Sequence, residues 1–292
     1  MSGEEQYISS TQNPKIKHLL ALQEESSERR KSGLFVVEGR RELQHCVEAG
    51  YEVVAVFTET HGNGSEIHGQ ESSVFPRFSD NIPCISVSPH VYNRIAYRGS
   101  TEGVVAIVKA QPCSLEDLLA APHSVPKTTE APSGAVKGAA NPLFIVLESV
   151  EKPGNLGAVL RSADAAGATA VIVCDPLTDL YNPNLIRASI GACFTVPMVA
   201  CSSEECIRFL KDNGVQILTA QLQDSELYYD TDMTCATAIV MGTESTGLTD
   251  QWRQAADAHI RIPMLGQLDS LNVSVSAAIL LFEAVRQREI KG

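Results

Sequence analysis

The stretch LFIVLESVEKPGNLGAVLRSADAAGATAVIVCD, residues 143–175, decides the fold class of this chain. The apolar runs at 143–150 and 168–175 each predict a strand that is buried on both faces. Between them, residues 154–167 have the apolar spacing of a helix. Because parallel strands need a long crossover, usually a helix, we predict a β-α-β unit and a parallel sheet.

The same alternation continues to the C terminus. It predicts strands in VQILTAQL (215–222) and ATAIVMG (236–242), and helices in NPNLIRASIGA (182–192) and SEECIRFLKDNG (203–214). We therefore predict an α/β fold over residues 142–292, with a mostly parallel sheet and helices on both faces. Ligands of such sheets bind at the carboxyl ends of the strands, so the loops after Leu147, Leu222 and Met241 are candidate sites.

Residues 1–110 predict a smaller α/β domain of their own. The helical patterns are IKHLLALQEESSERRK (16–31) and RRELQHCVEAG (40–50), and the strand patterns are LFVVEG (34–39), YEVVAVFTE (51–59) and GVVAIVKA (103–110). Residues 111–141 lose this periodicity and are rich in Pro, Ala, Ser, Thr and Gly. We predict that they form a flexible linker, so the domains are 1–110 and 142–292.

Composition limits the class of protein. Apolar residues make up 44% and charged residues 20%, as in a soluble globular protein. No apolar run is long enough for a membrane span, and MSGEEQYISS lacks the features of a signal peptide, so we expect a cytoplasmic protein without membrane association. The eight cysteines form no CxxC pair and no zinc-ligand spacing with histidine, which predicts free thiols and no metal.

The net charge of −12 argues against a nucleic-acid partner. The charge is uneven, however, since residues 1–110 carry 11 basic and 14 acidic side chains, against 12 and 21 in residues 111–292. Basic clusters occur at 29–31 and 40–41. Such clusters are typical of an RNA-facing surface and also of an ordinary solvated face, so charge alone leaves both interpretations open.

Two loops at the predicted carboxyl edge carry unusual polar residues. Arg161 is the only cation on an otherwise apolar helix, where it could serve a ligand or pair with Asp164 or Glu151. Glu244 follows a buried strand directly, in IVMGTESTGL (239–248), where a carboxylate needs donors. The glycines of PGNLG give only a GxxG spacing, which disfavours an ordinary dinucleotide site.

Polar residues also crowd the start of the last predicted helix, DSLNVSVSAAILLFEAV (269–285). Asp269 and Ser270 are good helix-capping types, and capping accounts for one of them. It does not account for Asn272 as well. The rest of this helix is apolar nearly all round, which predicts deep burial.

The three segments PGNLGAVLRSADAAG, IVMGTESTGL, and RIPM followed by SLNVSVSAA resemble the signature motifs of the SpoU (TrmH) family. These are S-adenosylmethionine-dependent RNA ribose 2′-O-methyltransferases of the SPOUT superfamily. NPKIKHLLAL, GLFVVEGRREL and EGVVAIV resemble the family's small N-terminal substrate-binding domain, which is similar to ribosomal protein L30e. The resemblance implies a C-terminal SPOUT domain with a deep trefoil knot, and a homodimer whose active sites take residues from both subunits.

The resemblance also implies roles for individual residues. The expected catalytic residues are Asn155 and Arg161 of motif one, Glu244 of motif two, and Ser270 and Asn272 of motif three. The expected cofactor-binding residues are Ala220, Gly242, Ile262, Met264 and Leu271. In the N-terminal domain, the expected RNA-facing residues are Asn13, Lys15, Arg40 and Arg41, with Glu38 as a further RNA-facing or domain-shaping position.

The function that follows from the resemblance is S-adenosylmethionine-dependent methylation of a ribose 2′-hydroxyl in structured RNA, with ribosomal RNA favoured over tRNA. Arg161 would act either as the proton acceptor or as a clamp on the adjacent phosphate. The alternatives are a tRNA methyltransferase, a catalytically silent RNA-binding relative, and a nucleotide-dependent enzyme of ordinary doubly wound fold.

Overall fold

The computed structural model describes residues 6–60, 82–96, 103–120, 141–243 and 246–291. Contacts divide the chain into two compact units. Unit 1 comprises Met1–Gln111 and Tyr181–Phe194, and unit 2 comprises Pro112–Leu180 and Thr195–Gly292. Most of the predicted linker, residues 121–140, lies outside the described residues.

Unit 1 is built on a mixed five-stranded sheet with the order β1-β4-β3-β5-β2. The strands are β1 (Gln6–Ile8), β2 (Leu34–Glu38), β3 (Val53–Glu59), β4 (Cys84–Val87) and β5 (Val104–Lys109). Its helices are α1 (Pro14–Glu24), α2 (Ser26–Ser32), α3 (Arg40–Glu48), α4 (Pro89–Ile95) and α7 (Pro183–Ser189). Fully buried Ile16, Leu19 and Leu22 give α1 its apolar face.

The segment Tyr181–Phe194 groups with unit 1, although the predicted boundaries place it in the domain 142–292. The Phe35 ring stacks on Tyr181 with centroids 4.5 Å apart and on Phe194 at 6.1 Å. Tyr51 meets Phe194 edge to face at 5.2 Å. Aromatic packing of this kind cannot be read from periodicity along one segment, because the rings come from distant parts of the chain.

The helix predicted over residues 16–31 is two helices, which corrects that prediction. The backbone of Glu25 is extended and separates α1 from α2. Arg29 is only 6% exposed, and its Nη1 donates to the carbonyl oxygens of Leu22 at 2.6 Å and Gln23 at 3.2 Å. This side chain therefore satisfies the C-terminal carbonyls of α1 and is not part of a solvated basic face.

Unit 2 is built on a seven-stranded sheet with the order β10-β12-β9-β11-β6-β7-β8, and every described pairing in it is parallel. The strands are β6 (Leu143–Glu148), β7 (Ala170–Cys174), β8 (Met198–Cys201), β9 (Gln216–Ala220), β10 (Glu226–Leu227), β11 (Thr237–Met241) and β12 (Ala258–Arg261). The helices are α5 (Asp117–Ala120), α6 (Pro153–Ala165), α9 (Ser203–Asp212), α10 (Asp250–Ala255) and α11 (Val273–Lys291). The short helix α8 (Ala192–Thr195) has its first three residues in unit 1 and its last in unit 2. The predicted α/β class and parallel sheet are confirmed.

Two features of unit 2 differ from the sequence patterns. The short strands β8, β10 and β12 were not predicted, because runs of two to four residues carry too little periodicity. Leu115 and Leu118 lie within the predicted linker, yet they are buried in the same apolar cluster as Phe144. The described start of that linker therefore packs against the core.

The last helix, α11, packs against α6 and β11 and is anchored at its C-terminal end. Arg288 donates hydrogen bonds to the carbonyl oxygens of Met233, Asn141, Pro142 and Cys235, at 2.7–3.3 Å. The Arg288 guanidinium binds all four carbonyl groups, and so it holds the C-terminal end of α11 to two separate loops.

The burial of α11 is one-sided, which corrects the expectation of burial all round. Ala277, Leu280, Leu281 and Ala284 are fully buried, whereas Val275 is 47% and Phe282 49% exposed. No helix in the described part of the chain is long and apolar enough to cross a membrane.

Candidate active site

A pocket of about 250 Å³ opens at the carboxyl edge of the unit 2 sheet. Its walls include Glu148 at the end of β6, Gly242 and Thr243 after β11, Asn155 of α6, and Val273 of α11. β6 and β11 are neighbours in the sheet, and the chain leaves them toward opposite edges. The pocket therefore lies at the topological switch point, where open α/β sheets bind their ligands.

Asn155 and Asn272 meet beside this pocket. The Asn272 Nδ2 atom donates to the Asn155 Oδ1 atom at 3.2 Å, across 117 residues of sequence. Asn155 lies in the first turn of α6, and Asn272 directly precedes α11. The structure thus joins the predicted catalytic residues of motifs one and three.

Asn272 is also the residue that caps α11. Its Oδ1 atom accepts from the Ser274 amide at 3.0 Å and from the Ser274 hydroxyl at 2.6 Å. Capping was expected from Asp269 or Ser270, and that expectation is wrong because the helix begins at Val273. One amide side chain therefore fixes the helix start with its oxygen and reaches Asn155 with its nitrogen.

Arg161 is exposed on α6 and has no hydrogen bond or ion pair to the residues that the structure describes. Arg161 forms no ion pair with Asp164, which was an alternative role for this arginine, and the described partner of Asp164 is Thr195 Oγ1 at 2.6 Å. Six residues separate Arg161 from Asn155, so the two side chains leave α6 about 120° apart and roughly 9 Å along its axis. Within one chain, the structure does not bring Arg161 to the Asn155–Asn272 pair.

The structure gives few contacts for the other two expected catalytic residues, Ser270 and Glu244. Ser270 is exposed, and its hydroxyl donates to Asp269 Oδ1 at 3.3 Å. Glu244 lies outside the described residues. Both assignments stay predictions.

Gly242 lies so close to the backbone of Gly247 and Leu248 that no residue with a side chain could take its place. A Cβ atom at this position would collide with the carbonyl group of Gly247 and the amide nitrogen of Leu248. The turn is closed by the Gly247 amide donating to the Thr243 carbonyl at 3.1 Å. Motif two therefore folds back onto the end of β11 only because residue 242 lacks a side chain.

The expected cofactor residues Ala220, Gly242 and Ile262 lie at the carboxyl ends of three neighbouring strands, β9, β11 and β12. Ala220 is the register partner of Ile260, two residues before Ile262. Met264 and Leu271 follow in the loop before α11, where Met264 is half-buried and Leu271 is 38% exposed. The structure thus places the first three at one edge and the last two on the loop that follows.

Gln221, which the sequence patterns did not single out, follows Ala220 at this edge. Its Nε2 atom donates to the Gln223 carbonyl at 2.9 Å, whereas its Oε1 atom is buried with no partner among the described residues. A buried acceptor without a donor costs about 1–3 kcal/mol. The side chain of Gln221 therefore leaves one buried acceptor unsatisfied at the carboxyl end of β9.

Glu148 is a second residue that sequence reasoning missed. It is 3% exposed, and its carboxylate accepts from the Thr249 hydroxyl at 2.6 Å, the Thr249 amide at 2.9 Å and the Ser203 hydroxyl at 3.4 Å. The Trp252 indole donates to the same Ser203 hydroxyl at 3.0 Å. Glu148 therefore ties the end of motif two to β6 and so supports the pocket wall. Its only signal in the sequence is a carboxylate at the end of an apolar strand.

Glu148→Ala is expected to lower the free energy of unfolding by about 2–4 kcal/mol, because it leaves the Thr249 hydroxyl and amide without their acceptor. The Ser203 hydroxyl keeps Asp175 Oδ2 as an acceptor at 2.6 Å. Glu148→Gln, which keeps the volume, should cost roughly half as much. Urea denaturation of the purified variants measures both values. Glu151→Ala, an exposed glutamate three residues away, serves as the control and should unfold like the parent. Equal stability of Glu148→Ala and the parent would contradict the anchoring role.

In unit 1, the residues expected to face RNA differ in their surroundings. Asn13 caps α1, with its side chain accepting from the Lys15 amide at 2.9 Å, so it has a structural role. The side chain of Lys15 is exposed, and that of Arg40 is half-buried. Arg41 is 60% exposed and lies 3.4 Å from Glu42 Oε1. RNA contact by any of the four residues stays a prediction.

Glu38 shapes unit 1. Its carboxyl group is 6% exposed, accepts from Gln23 Nε2 at 2.9 Å, and lies 3.6 Å from Arg187 Nη2. The same Gln23 nitrogen donates to the Ile95 carbonyl at 2.6 Å. The carboxylate thus links β2 to α1 and α7, which supports the domain-shaping alternative for this position.

Comparison with known proteins identifies the family. Residues 142–282 match the model of the SpoU rRNA Methylase family, and residues 13–106 match that of the MRM3-like substrate binding domain. A solved structure described as an RNA 2′-O ribose methyltransferase shares 35% identity with this chain, covers 97% of this chain and 99% of its own, and superposes with a TM-score of 0.75. The chain belongs to the SpoU rRNA methylase family.

Two further relatives show how far the similarity reaches. The AdoMet-bound rRNA methyltransferase from Sinorhizobium meliloti is 27% identical, with coverage of 97% of this chain and 98% of that chain and a TM-score of 0.80. The 23S rRNA (guanosine-2′-O-)-methyltransferase RlmB of Photobacterium profundum is 41% identical over 156 residues, 53% of this chain. That match covers 64% of the relative, so the chain spans less than two thirds of the length of the curated relatives it matches first.

The family membership and the α/β fold predicted from the sequence are confirmed. The trefoil knot itself stays a prediction.

Proposed function

We propose that this protein methylates a ribose 2′-hydroxyl in ribosomal RNA with S-adenosylmethionine as the methyl donor. The observation that carries the proposal is the hydrogen bond between Asn155 and Asn272 at the switch-point pocket. It brings together two motifs that are 117 residues apart and that each contain a predicted catalytic amide. The relatives described as rRNA methyltransferases support ribosomal RNA as the substrate class.

The cofactor would be held at the edge formed by Ala220, Gly242 and Ile262, with Met264 and Leu271 on the loop beyond. When bound, S-adenosylmethionine supplies a methyl group on a sulfonium sulfur, which is already a reactive electrophile. The residues of this chain therefore have to position the ribose and accept or share one proton.

Arg161 is the group proposed to lower the pKa of the ribose hydroxyl. As a clamp, its guanidinium would bind the adjacent phosphate and place positive charge beside the oxygen that loses its proton. The alternative role, proton acceptor, requires a neutral guanidinium, which is rarely populated in proteins. Asn155 and Asn272 would orient the ribose at the pocket mouth, together with Ser270 and Glu244.

A homodimer would complete this site. Asn155 lines the pocket and Arg161 does not, so an arginine from a second subunit is the simplest way to bring the groups to one ribose. The exposed apolar side chains of α11, Val275 at 47% and Phe282 at 49%, are spaced seven residues apart on one face. That face supports a dimer contact beside the site. The trefoil knot belongs to the same proposal.

Unit 1 would recognise the RNA substrate. Lys15, Arg40 and Arg41 would supply phosphate contacts, and Asn13 would fix the helix that presents Lys15. Since residues 111–292 carry 12 basic and 21 acidic side chains, the positive surface has to be local. A cytoplasmic location is part of the proposal.

Methylation assays separate this proposal from its alternatives. The purified chain is incubated with labelled S-adenosylmethionine and either unmodified ribosomal RNA or tRNA, and the 2′-O-methyl positions are mapped. We expect label in ribosomal RNA. Label confined to tRNA would favour a tRNA methyltransferase, and cofactor binding without methylation of either RNA would favour a silent RNA-binding relative.

Arg161→Ala is expected to lower the single-turnover methylation rate by about 100-fold, because it removes the charge that stabilises the developing oxyanion. Arg161→Lys keeps the charge but not the planar two-point contact, and should recover only part of the rate. The control is Arg208→Lys, an exposed arginine on α9. A full rate for Arg161→Lys would rule out a bidentate phosphate clamp.

A further inference from the structure

Three thiols meet in unit 2 at positions that the proposed methylation does not use. Cys174 ends β7, Cys201 ends β8, and Cys206 lies in α9. Cys174 and Cys201 are register partners on neighbouring parallel strands, with Sγ atoms 4.0 Å apart. The Sγ atoms of all three residues lie within 4.8 Å of one another.

The cluster is both enclosed and reachable. Cys174 and Cys206 are fully buried, whereas Cys201 is half-buried and lines an open pocket of about 760 Å³. An ion could therefore enter from the pocket beside Cys201 and be bound from the protein interior by the sulfur atoms of Cys174 and Cys206. Sequence patterns do not predict this arrangement, because the spacings 174–201 and 201–206 match no common metal motif.

The surroundings of the cluster favour a bound cation. Asp175 directly follows Cys174 and Glu205 directly precedes Cys206, so two carboxylates flank the cluster along the chain. Their negative charge opposes an isolated thiolate, but it stabilises a cation bound to that thiolate.

Hydrogen bonds fix the backbone segments that carry the three cysteines before any ion binds. The Asp175 amide donates to the Cys201 carbonyl at 2.9 Å, next to the paired strand ends. Cys206 is fixed by the capping box at the start of α9, in which Ser202 and Glu205 satisfy each other's amides. A preformed arrangement lowers the entropy cost of assembling ligands around an ion.

We propose that Cys174, Cys201 and Cys206 form a three-sulfur binding site for one thiophilic d¹⁰ cation, Zn²⁺ or Cu⁺. A metal–sulfur bond of about 2.3 Å places the sulfur atoms of a tetrahedral or trigonal site roughly 3.8–4.0 Å apart. The separation of Cys174 and Cys201 already meets this value, at 4.0 Å. Binding replaces the proton of each coordinating thiol with a metal–sulfur bond, and those protons pass to solvent. Cu⁺ would be satisfied by three sulfurs, whereas Zn²⁺ would add a water from the open pocket.

Metal titration of the full chain tests the site. The exposed Cys84 and Cys235 are first replaced by serine to remove background thiols. The Cys84→Ser/Cys235→Ser protein is titrated without oxygen and under reducing conditions with Zn²⁺ or Cu⁺ against a chromophoric chelator. We expect one equivalent of one of the two ions to survive desalting, and the melting temperature to rise. X-ray absorption of the loaded protein should show three sulfur neighbours.

Single substitutions in that background locate the ligands. Cys201→Ser and Cys206→Ser should each weaken binding at least tenfold, with circular dichroism checking that both variants fold. Cys113→Ser is the matched control, since Cys113 lines the same pocket but its sulfur lies outside the three-sulfur cluster. The site is refuted if neither ion is retained, if both cluster variants bind like their parent, or if Cys113→Ser weakens binding as much as they do.

Discussion

Gly242→Ala is expected to reduce cofactor binding and methylation by about 100-fold or more, the size of effect that a misplacement of roughly 1 Å produces in an active site. The added methyl group would collide with backbone atoms of Gly247 and Leu248, which cannot rotate away as a flexible side chain could. The turn from Thr243 to Gly247 would have to open, and Glu148 would have to release Thr249 or be displaced with it. Isothermal calorimetry with S-adenosylmethionine and single-turnover assays measure the two losses.

The stability of the same variant provides an independent check. Overpacking at Gly242 should lower the free energy of unfolding by about 1–3 kcal/mol. Gly154→Ala is the matched control, because a Cβ at Gly154 has no neighbour within 4 Å and the residue lies in α6. There alanine should be neutral or stabilising by up to about 1 kcal/mol. If Gly242→Ala bound the cofactor as well as Gly154→Ala does, motif two would not depend on this close approach.

The parallel sheet of unit 2 could be predicted because its main strands are continuous apolar runs. The strands at residues 143–148 (LFIVLE) and 170–174 (AVIVC) are buried along their whole length. A continuous apolar run is the sequence pattern that predicts a strand buried on both faces. The strand β12, AHIR, has polar or charged residues at two of four positions and carries no such signal. Its place in the sheet depends on pairing with β9, which is a long-range property.

The candidate site was predictable only in part, because its contacts also join residues that are far apart in the sequence. The resemblance supplied Asn155 and Asn272, but the bond between them depends on where α11 packs against α6. Sequence analysis missed Glu148 and Gln221. Glu148 stands out because of its hydrogen bond with the distant Thr249, and Gln221 because its Oε1 atom lacks a partner in the described part of the chain. Neither property can be read from the neighbouring residues in the sequence. The same holds for the sulfur cluster, whose members come from two strands and a helix.

Asn272→Ala is expected to lower methylation by roughly 100-fold and the free energy of unfolding by about 1 kcal/mol, because two roles are lost together. The first is the cap of α11, made by Oδ1 to Ser274 at 3.0 and 2.6 Å. The second is the contact of Nδ2 with Asn155 at 3.2 Å. Single-turnover methylation and urea denaturation, measured on the same preparation, report the two losses separately.

Asn272→Ser separates the cap from the contact. Serine caps helices about as well as asparagine, so this variant should unfold within a few tenths of a kcal/mol of the parent. Its hydroxyl is too short to reach Asn155, so methylation should stay low. Ser274→Ala is the complementary control, since it removes a bond of the cap and leaves the Asn155 contact in place.

In a double-mutant cycle, Asn155→Ala should add little to the loss of rate in Asn272→Ser, because the two amides act through one contact. Full activity of Asn272→Ser would mean that Asn272 serves the helix alone.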